Sequence, residues 1–319
     1  MRHVILVCLL AACAAALLAQ KPRVVILNVD VDNAVTYRFD VADPAKRGID
    51  PNLTTVTLNT PFLEAVEVDD IVAVNGKPAK GIHGIRYMRM NFSPTPSPGA
   101  AIADMSGTFC DCNWYFQAQD GKFVGQILDG GLAVPHVIMG GAVAFFAATG
   151  EHLYVGDPAR PTRTASVSED PSRRRALGGG RYRVPFYVVL QSYPEVEMTP
   201  QGPVVLHADD FSFVTTAKPA RAGERLIVRA RNLGPTTPAV AASEPFPKWT
   251  GDPLPEVNSD VEVTVDGKSA EILFKTGWPG EVGVYRVDFR MPSGVTPGMA
   301  PLQLTAAWIP SEEVRIPVQ

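Results

Sequence analysis

Apolar and polar residues alternate with a period of two over short runs of this chain, and long stretches with a helical period are absent. "VVILNVDV" (24–31) passes from a continuous apolar run into alternation, with Asn28, Asp30 and Asp32 on one face and Val29 and Val31 on the other. "AVTYRFDV" (34–41), "TTVTLNT" (54–60), "DDIVAVNG" (69–76) and "GIRYMRMNF" (84–92) repeat the pattern. Successive side chains of a strand point to opposite faces, so each run reads as a strand. Asn75-Gly76 predicts a tight turn, and "SPTPSPGA" a loop, because proline cannot donate to a central ladder. "MSGTFCDCNWYFQAQDGKFVGQILDGG" (105–131) predicts a hairpin, with strands over 107–118 and 122–128 around Gln119-Asp120-Gly121. "HVIMGGAVAFFAATGEHLYVG" (136–156) adds further strands. After a connector over 157–183, "VPFYVVLQS" (184–192) closes the first half.

From about Pro194 the texture changes. Two strands flank a Pro-Ala-Arg-Ala-Gly turn, a Pro-rich connection spans 238–256, and "SDVEVTVDGKSAEILF" predicts a hairpin with Asp266-Gly267 at its tip. "VGVYRVDFRMP" (282–292), "APLQLTAAWI" (300–309) and "EVRIPVQ" (313–319) bring the half to about seven strands, the pattern of an immunoglobulin-like sandwich. The abundance of proline (29) and glycine (27) suits many strands joined by turns. The expected fold is all-β: an N-terminal antiparallel barrel or sandwich (20–193) followed by an immunoglobulin-like sandwich (194–319).

Two resemblances sharpen this. "AKPARAGERLIVRARNLGPTTPAV", "VEVTVDGKSAEILF", "GEVGVYRVDFRMPSGVTPG" and the final "PVQ" resemble, over about 205–319, the C-terminal domain of secreted acidobacterial (Solibacter-type) proteins, which is immunoglobulin-like and similar to IPT/TIG domains. That family brings no catalytic residues. "GTFCDCNWYFQAQDGKFVG" followed by "IMGGAVAFFAATGEH" resembles the glycine-rich strand of the dirigent and allene oxide cyclase barrels, with Ala142-Val143 and Ala147 departing from the usual Thr-Gly and Gly. This second resemblance implies an eight-stranded barrel, a size that can enclose one small ligand.

At the N-terminus, Arg2 precedes an apolar run from Val4 to about Leu18, ending at Ala19 before polar Gln20-Lys21. The order predicts a secretory signal peptide over 1–19, shorter than the ~20 residues of a spanning helix. Leu10-Ala11-Ala12-Cys13 also resembles a lipobox, which would make Cys13 a lipidated terminus, although an apolar run follows it. The expected location is secreted, periplasmic or cell-surface, without a transmembrane segment. The near balance of 29 Lys+Arg against 33 Asp+Glu argues against a nucleic-acid partner.

Cys110 and Cys112 are the pair expected in the mature chain. On a strand both face one side, with Cα atoms about 6.5–7 Å apart, at the limit for a disulfide. They read as two small buried residues or as a candidate strained disulfide. Their spacing makes half a zinc site, and His136 and His152, the nearest histidines, add no C-x2-C or H-x3-H pattern, so no metal site is assigned. In the connector, Arg160, Arg163, Arg173, Arg174, Arg175, Arg181 and Arg183 face only Asp157, Glu169 and Asp170. Arg173, Arg174, Arg175 and Arg181 beside Gly178-Gly179-Gly180 form a candidate anion-binding loop, set against a solvated, partly flexible loop. No Gly-Lys-Ser/Thr follows to make a P-loop. Asn28, Asp30, Asp32 and Asn33 fail as a calcium loop, since Asn33 and Phe39 stand where glycine and glutamate belong. Glu64, Glu67, Asp69 and Asp70 are carboxylates suited to cross-strand pairing at a barrel mouth, and His207-Ala208-Asp209-Asp210 reads as polar surface. No catalytic signature and no cofactor motif is found.

The expected function is a secreted, non-enzymatic two-domain protein that contacts a protein or polysaccharide partner. The alternative is a barrel that binds a small apolar ligand or acts as a cofactor-independent isomerase. A polar-lined cavity in the first half would favour the alternative.

Overall fold

The computed structural model describes residues 21–38, 64–91, 106–131, 135–249 and 253–319. The leader, the run 54–60 and the Pro-rich loop after residue 91 lie outside the described residues. The chain is all-β. Its first half is an up-and-down barrel of eight strands: β1 (Arg23–Arg38), β2 (Glu64–Val74), β3 (Lys80–Asn91), β4 (Ser106–Gln117), β5 (Phe123–Gly131), β6 (His136–Val143), β7 (Thr149–His152) and β8 (Gly180–Leu190). Each pairs antiparallel with its neighbours in sequence, and β1 closes the ring by pairing with both β8 and β2. Closure removes the free edges an open sheet would expose.

Alternation sets the inside of the barrel. In β8, Tyr182, Val184, Phe186, Val188 and Leu190 are buried while Arg181, Arg183 and Tyr187 are exposed. In β1 the parity changes partway. Val25, Leu27, Val29 and Val31 point inward before Asp32-Asn33, and Ala34 and Thr36 after it. Both ladders shift register there, with Asn33 at φ 56°. A bulge of this kind turns a strand by one residue. It merges into a single strand the two runs that the sequence pattern separates.

Close strand approach demands glycine at Gly150 of β7. It has φ 132°, and an added Cβ would lie 2.0 Å from the Tyr187 carbonyl oxygen on β8. Gly150→Ala is expected to destabilise the barrel by about 2 kcal/mol or more. Gly156→Ala, where nothing lies within 4 Å, should change it by less than about 0.5 kcal/mol. Urea midpoints of the two variants check the contrast.

The connector carries regular structure. Residues Arg163–Ser166 pair parallel with the end of β1, and a short helical turn covers 171–177. Strand β8 begins at Gly180 rather than 184. Arginine–carboxylate pairs to distant strands fasten the segment: Arg160 and Arg181 to Asp32, and Arg174 and Arg175 to Asp70.

The second half forms two facing antiparallel sheets. Strands β9 (Arg225–Arg231), β10 (Glu271–Gly277) and β11 (Val284–Arg290) belong to one; β12 (Val261–Val265), β13 (Gly298–Ala306) and β14 (Val314–Val318) belong to the other. Inward residues of the first sheet, Leu226, Val228, Val287 and Phe289, share a core with Val263, Val265, Leu302 and Leu304 of the second. The expected hairpin tip is present, with Asp266 and Gly267 at positive φ. His207, expected at the surface, is buried instead: it pairs with β9 residue Leu226 in register, and its ring nitrogens meet Glu224 and the Lys218 carbonyl.

An apolar contact joins the halves. A tight turn after β13 places Ala307, Trp308 and Ile309 against the barrel core, with the Trp308 ring 6.0 Å from Phe116. Arg23–Glu312, Lys77–Glu262 and an Asn258 hydrogen bond to the Phe123 carbonyl surround it. Among the described residues, no helix is long and apolar enough to cross a membrane.

Candidate functional site

Along β4 the inward side chains run Cys110, Cys112, Trp114, Phe116. Phe116 lies at the end closed by Trp308, where Leu27, Val124, Phe145 and Leu190 complete an apolar fill. Toward Cys110 the interior becomes polar. The same period of two brings in Glu67 and Asp69 from β2, His83 and Tyr87 from β3, Asp129 from β5, His136 from β6, His152 from β7 and Tyr182 from β8. Tyr154, two residues past His152, joins them.

Trp114 divides this interior into two groups. On one face His83 stacks flat on the indole, centroids 3.5 Å apart. Its Nδ1 lies 2.9 Å from Asp69 Oδ2, which also accepts a hydrogen bond from the Tyr182 hydroxyl. At the other edge Trp114 Nε1 donates to Asp129 Oδ2 at 2.5 Å. Beyond Asp129 stand His136, His152 and the two cysteines.

A cavity of about 430 Å3 opens above the first group. This lies within the range of small-molecule sites. Glu67, Tyr87, Tyr154 and Tyr182 line it, with Arg181, Asp157, Pro158, Pro161 and Thr162 of the connector at its rim. Glu67 is buried, and its Oε2 accepts from Thr36 Oγ1 at 2.8 Å and from the Tyr87 hydroxyl at 3.4 Å. Burial, reinforced by the nearby Asp69 charge, pushes its carboxyl up to about 7 against the pull of those donors and of His83. Burial also holds the Tyr87, Tyr154 and Tyr182 phenols well above their usual range.

Several buried polar atoms here have no hydrogen-bond partner: the Tyr154 hydroxyl, Asp69 Oδ1, His83 Nε2 and His152 Nδ1. Buried polar groups are nearly always satisfied in folded proteins, and orphans gathered in one place call for a specific explanation.

The second group couples a thiol pair to an imidazole and a carboxylate. Cys110 and Cys112 share a face, and their sulfurs lie 3.9 Å apart as free thiols, so the candidate disulfide is not formed in the structure. The thiol of Cys112 hydrogen-bonded to Cys110 depresses the Cys110 pKa, with His136 assisting against burial. The same interaction, together with burial, raises that of Cys112. Burial opposes a charge on His136, but Asp129 and Cys110 outweigh it and push the imidazole up to about 9. Asp129 is likewise drawn below the usual carboxylate range by hydrogen bonds to His136 and His152 that overcome burial.

The other sequence candidates are dispersed. Arg174 and Arg175 both hold Asp70, Arg174 from a buried position, and Arg181 holds Asp32. Arg173 sits exposed on the helical turn. Glu67 and Asp69 enter the barrel, whereas Asp70 turns to the connector. The side chain of Glu64 lies outside the described residues. The tyrosines, His83 and the meeting of His136 with His152 were not singled out in the sequence. Strand parity could have placed each side chain inside, but the cross-strand register opposing His136 to His152 has no local signal.

The fold and this interior define an antiparallel eight-stranded barrel with a polar-lined cavity, joined to a two-sheet C-terminal half. Compared with known proteins, the chain matches no family model, no curated protein and no solved structure.

Proposed function

We propose that the barrel is a binding site for a small, mainly apolar molecule carrying one or two polar groups, in a secreted protein whose immunoglobulin-like C-terminal half serves as the contact to a protein or polysaccharide partner. The cavity floored by Glu67 and ringed by Tyr87, Tyr154 and Tyr182 carries this reading. Apolar ring faces supply contact area, and the Tyr154 hydroxyl, without an internal partner, is a donor for the ligand. Glu67 gives the site a polarity that changes near neutral pH. Protonated, it donates to a ligand carbonyl; ionised, it accepts from a hydroxyl or attracts an amine. The same features favour a second reading, a cofactor-independent isomerase, because a carboxyl poised near neutrality beside phenol donors suits proton transfer.

The test uses an aromatic amine probe, 1-naphthylmethylamine, followed by fluorescence. Its affinity should rise about tenfold between pH 6 and pH 8 as Glu67, with a pKa of about 7, ionises. Glu67→Gln should flatten that profile. Tyr154→Phe should weaken 1-naphthalenemethanol by about fivefold, the worth of one hydrogen bond. Failure of both probes to bind, or a pH profile kept by Glu67→Gln, overturns the reading.

A further inference from the structure

Four adjacent strands each present a metal-ligating side chain at one level of the barrel interior. Cys110 and Cys112 come from β4, Asp129 lies directly across from Cys112 on β5, His136 follows on β6, and His152 on β7 stands opposite His136. All are buried. Within this set the ligating atoms of Cys110, Cys112 and His136 lie within 4.8 Å of one another, as do those of Asp129, His136 and His152.

The spacing of Cys110, Cys112 and His136 matches three corners of a coordination polyhedron. Zinc bonds of about 2.3 Å to sulfur and about 2.05 Å to nitrogen, at tetrahedral angles, require edges of about 3.8 Å between sulfurs and about 3.6 Å between sulfur and nitrogen. The two sulfurs are 3.9 Å apart, and His136 Nδ1 lies 3.7 Å from each. A nitrogen–oxygen edge comes to about 3.3 Å on the same geometry, and His136 Nδ1 lies 3.3 Å from Asp129 Oδ1. Trp114 holds the other carboxylate oxygen, Oδ2, and so leaves Oδ1 facing the histidines.

A second observation points the same way. His152 is fully buried, its Nε2 meets Asp129 Oδ1 at 2.9 Å, and its Nδ1 has no hydrogen-bond partner. An imidazole nitrogen sealed in a protein interior without a partner is costly. Adjacency to a metal position explains its retention.

We propose that Cys110, Cys112 and His136 bind one thiophilic divalent ion of the zinc class, with Asp129 supplying the fourth contact and His152 orienting that carboxylate. Two thiolates and an imidazole select zinc over calcium or magnesium, which require oxygen ligands. The site is distinct in its residues from the ligand cavity, although Tyr154 packs on both His136 and His152 and lines that cavity. The sequence spacing conceals it because the ligands come together through strand register rather than along a motif.

The full chain, reduced and then freed of metal with a chelator, is titrated with Zn2+, and uptake is counted by elemental analysis. One equivalent per chain is expected, and Co2+ in its place should show the intense near-ultraviolet absorption of cobalt–thiolate bonds. Bound zinc should protect both thiols from alkylation under native conditions, and removal of zinc should expose them. This readout needs no variant. Cys110→Ser combined with Cys112→Ser should weaken zinc by about a thousandfold or more. His152→Ala should weaken it by about ten- to a hundredfold, the usual cost of losing an orienting partner. A reduced, folded chain that takes up no stoichiometric zinc overturns the proposal. So does uptake unaffected by the double serine variant, or alkylation at the same rate with and without zinc.

Discussion

Replacing Trp114 by alanine should cost the barrel about 4 kcal/mol, the loss expected for a large, fully buried aromatic. The indole is completely buried and touches both polar groups of the interior. It stacks on His83 at 3.5 Å between centroids, meets Phe186 edge-on at 4.9 Å and donates to Asp129. Truncation therefore opens a void and strips two buried polar side chains of support. Trp114→Phe separates these effects. It keeps much of the apolar contact and removes the N–H with one ring's worth of volume, so about 2 kcal/mol is expected, mostly from the hydrogen bond to a charged group. Urea unfolding followed by circular dichroism measures both variants without relying on the lost fluorophore. A loss below about 1 kcal/mol for the alanine variant would contradict the central packing role assigned to Trp114.

Arg174→Ala should cost about 3 kcal/mol, the scale of a buried ion pair broken from one side. The guanidinium is buried, bonds the Asn33 carbonyl at 2.8 Å and reaches Asp70 Oδ1 at 2.5 Å, tying the connector across the β1 bulge to β2. Arg175 meets the same carboxylate but has a side chain 68% exposed, so Arg175→Ala should cost no more than about 1 kcal/mol. The pH dependence has a definite sign. Burial opposes ionisation of Asp70, yet the hydrogen bonds from Arg175 and Arg174 outweigh it and hold the carboxyl below its usual range. The contribution is present above the unfolded value of about 3.9 and disappears as pH falls through the lower folded value. The difference between wild type and Arg174→Ala should accordingly shrink below about pH 4. Denaturation at pH 7 and at pH 3 reads it directly, and equal differences at both would refute the assignment to Asp70.

The period-two pattern made the all-β class legible, together with hairpins such as those at Gln119-Asp120-Gly121 and Asp266-Gly267, because these depend on neighbours in sequence. The shared face of Cys110 and Cys112 was legible for the same reason. What stayed hidden depends on contacts between distant residues. The Asp32-Asn33 bulge reverses the parity of β1 without any break in its composition. The connector looked like an arginine-rich loop because its counter-charges, Asp32 and Asp70, lie over a hundred residues away. Inside the barrel, alternation shows which side chains share a face. Which of two faces is enclosed is decided by ring closure, so Glu67 and Asp69 could be suspected but not placed, and Tyr87 and Tyr182 passed for ordinary strand residues.

The turn that seats Trp308 on Phe116 gives the molecule a direction. One end of the barrel belongs to the C-terminal half, and the polar interior lies toward the other. If the C-terminal half is held against a partner, the cavity is carried on the far side, so tethering and ligand exchange need not compete for the same surface. Cutting the chain between the halves would strip Phe116 of its cover and leave Trp308 bare. Each half thus acts as part of the other's solvent shield, and they are coupled in stability as well as in sequence.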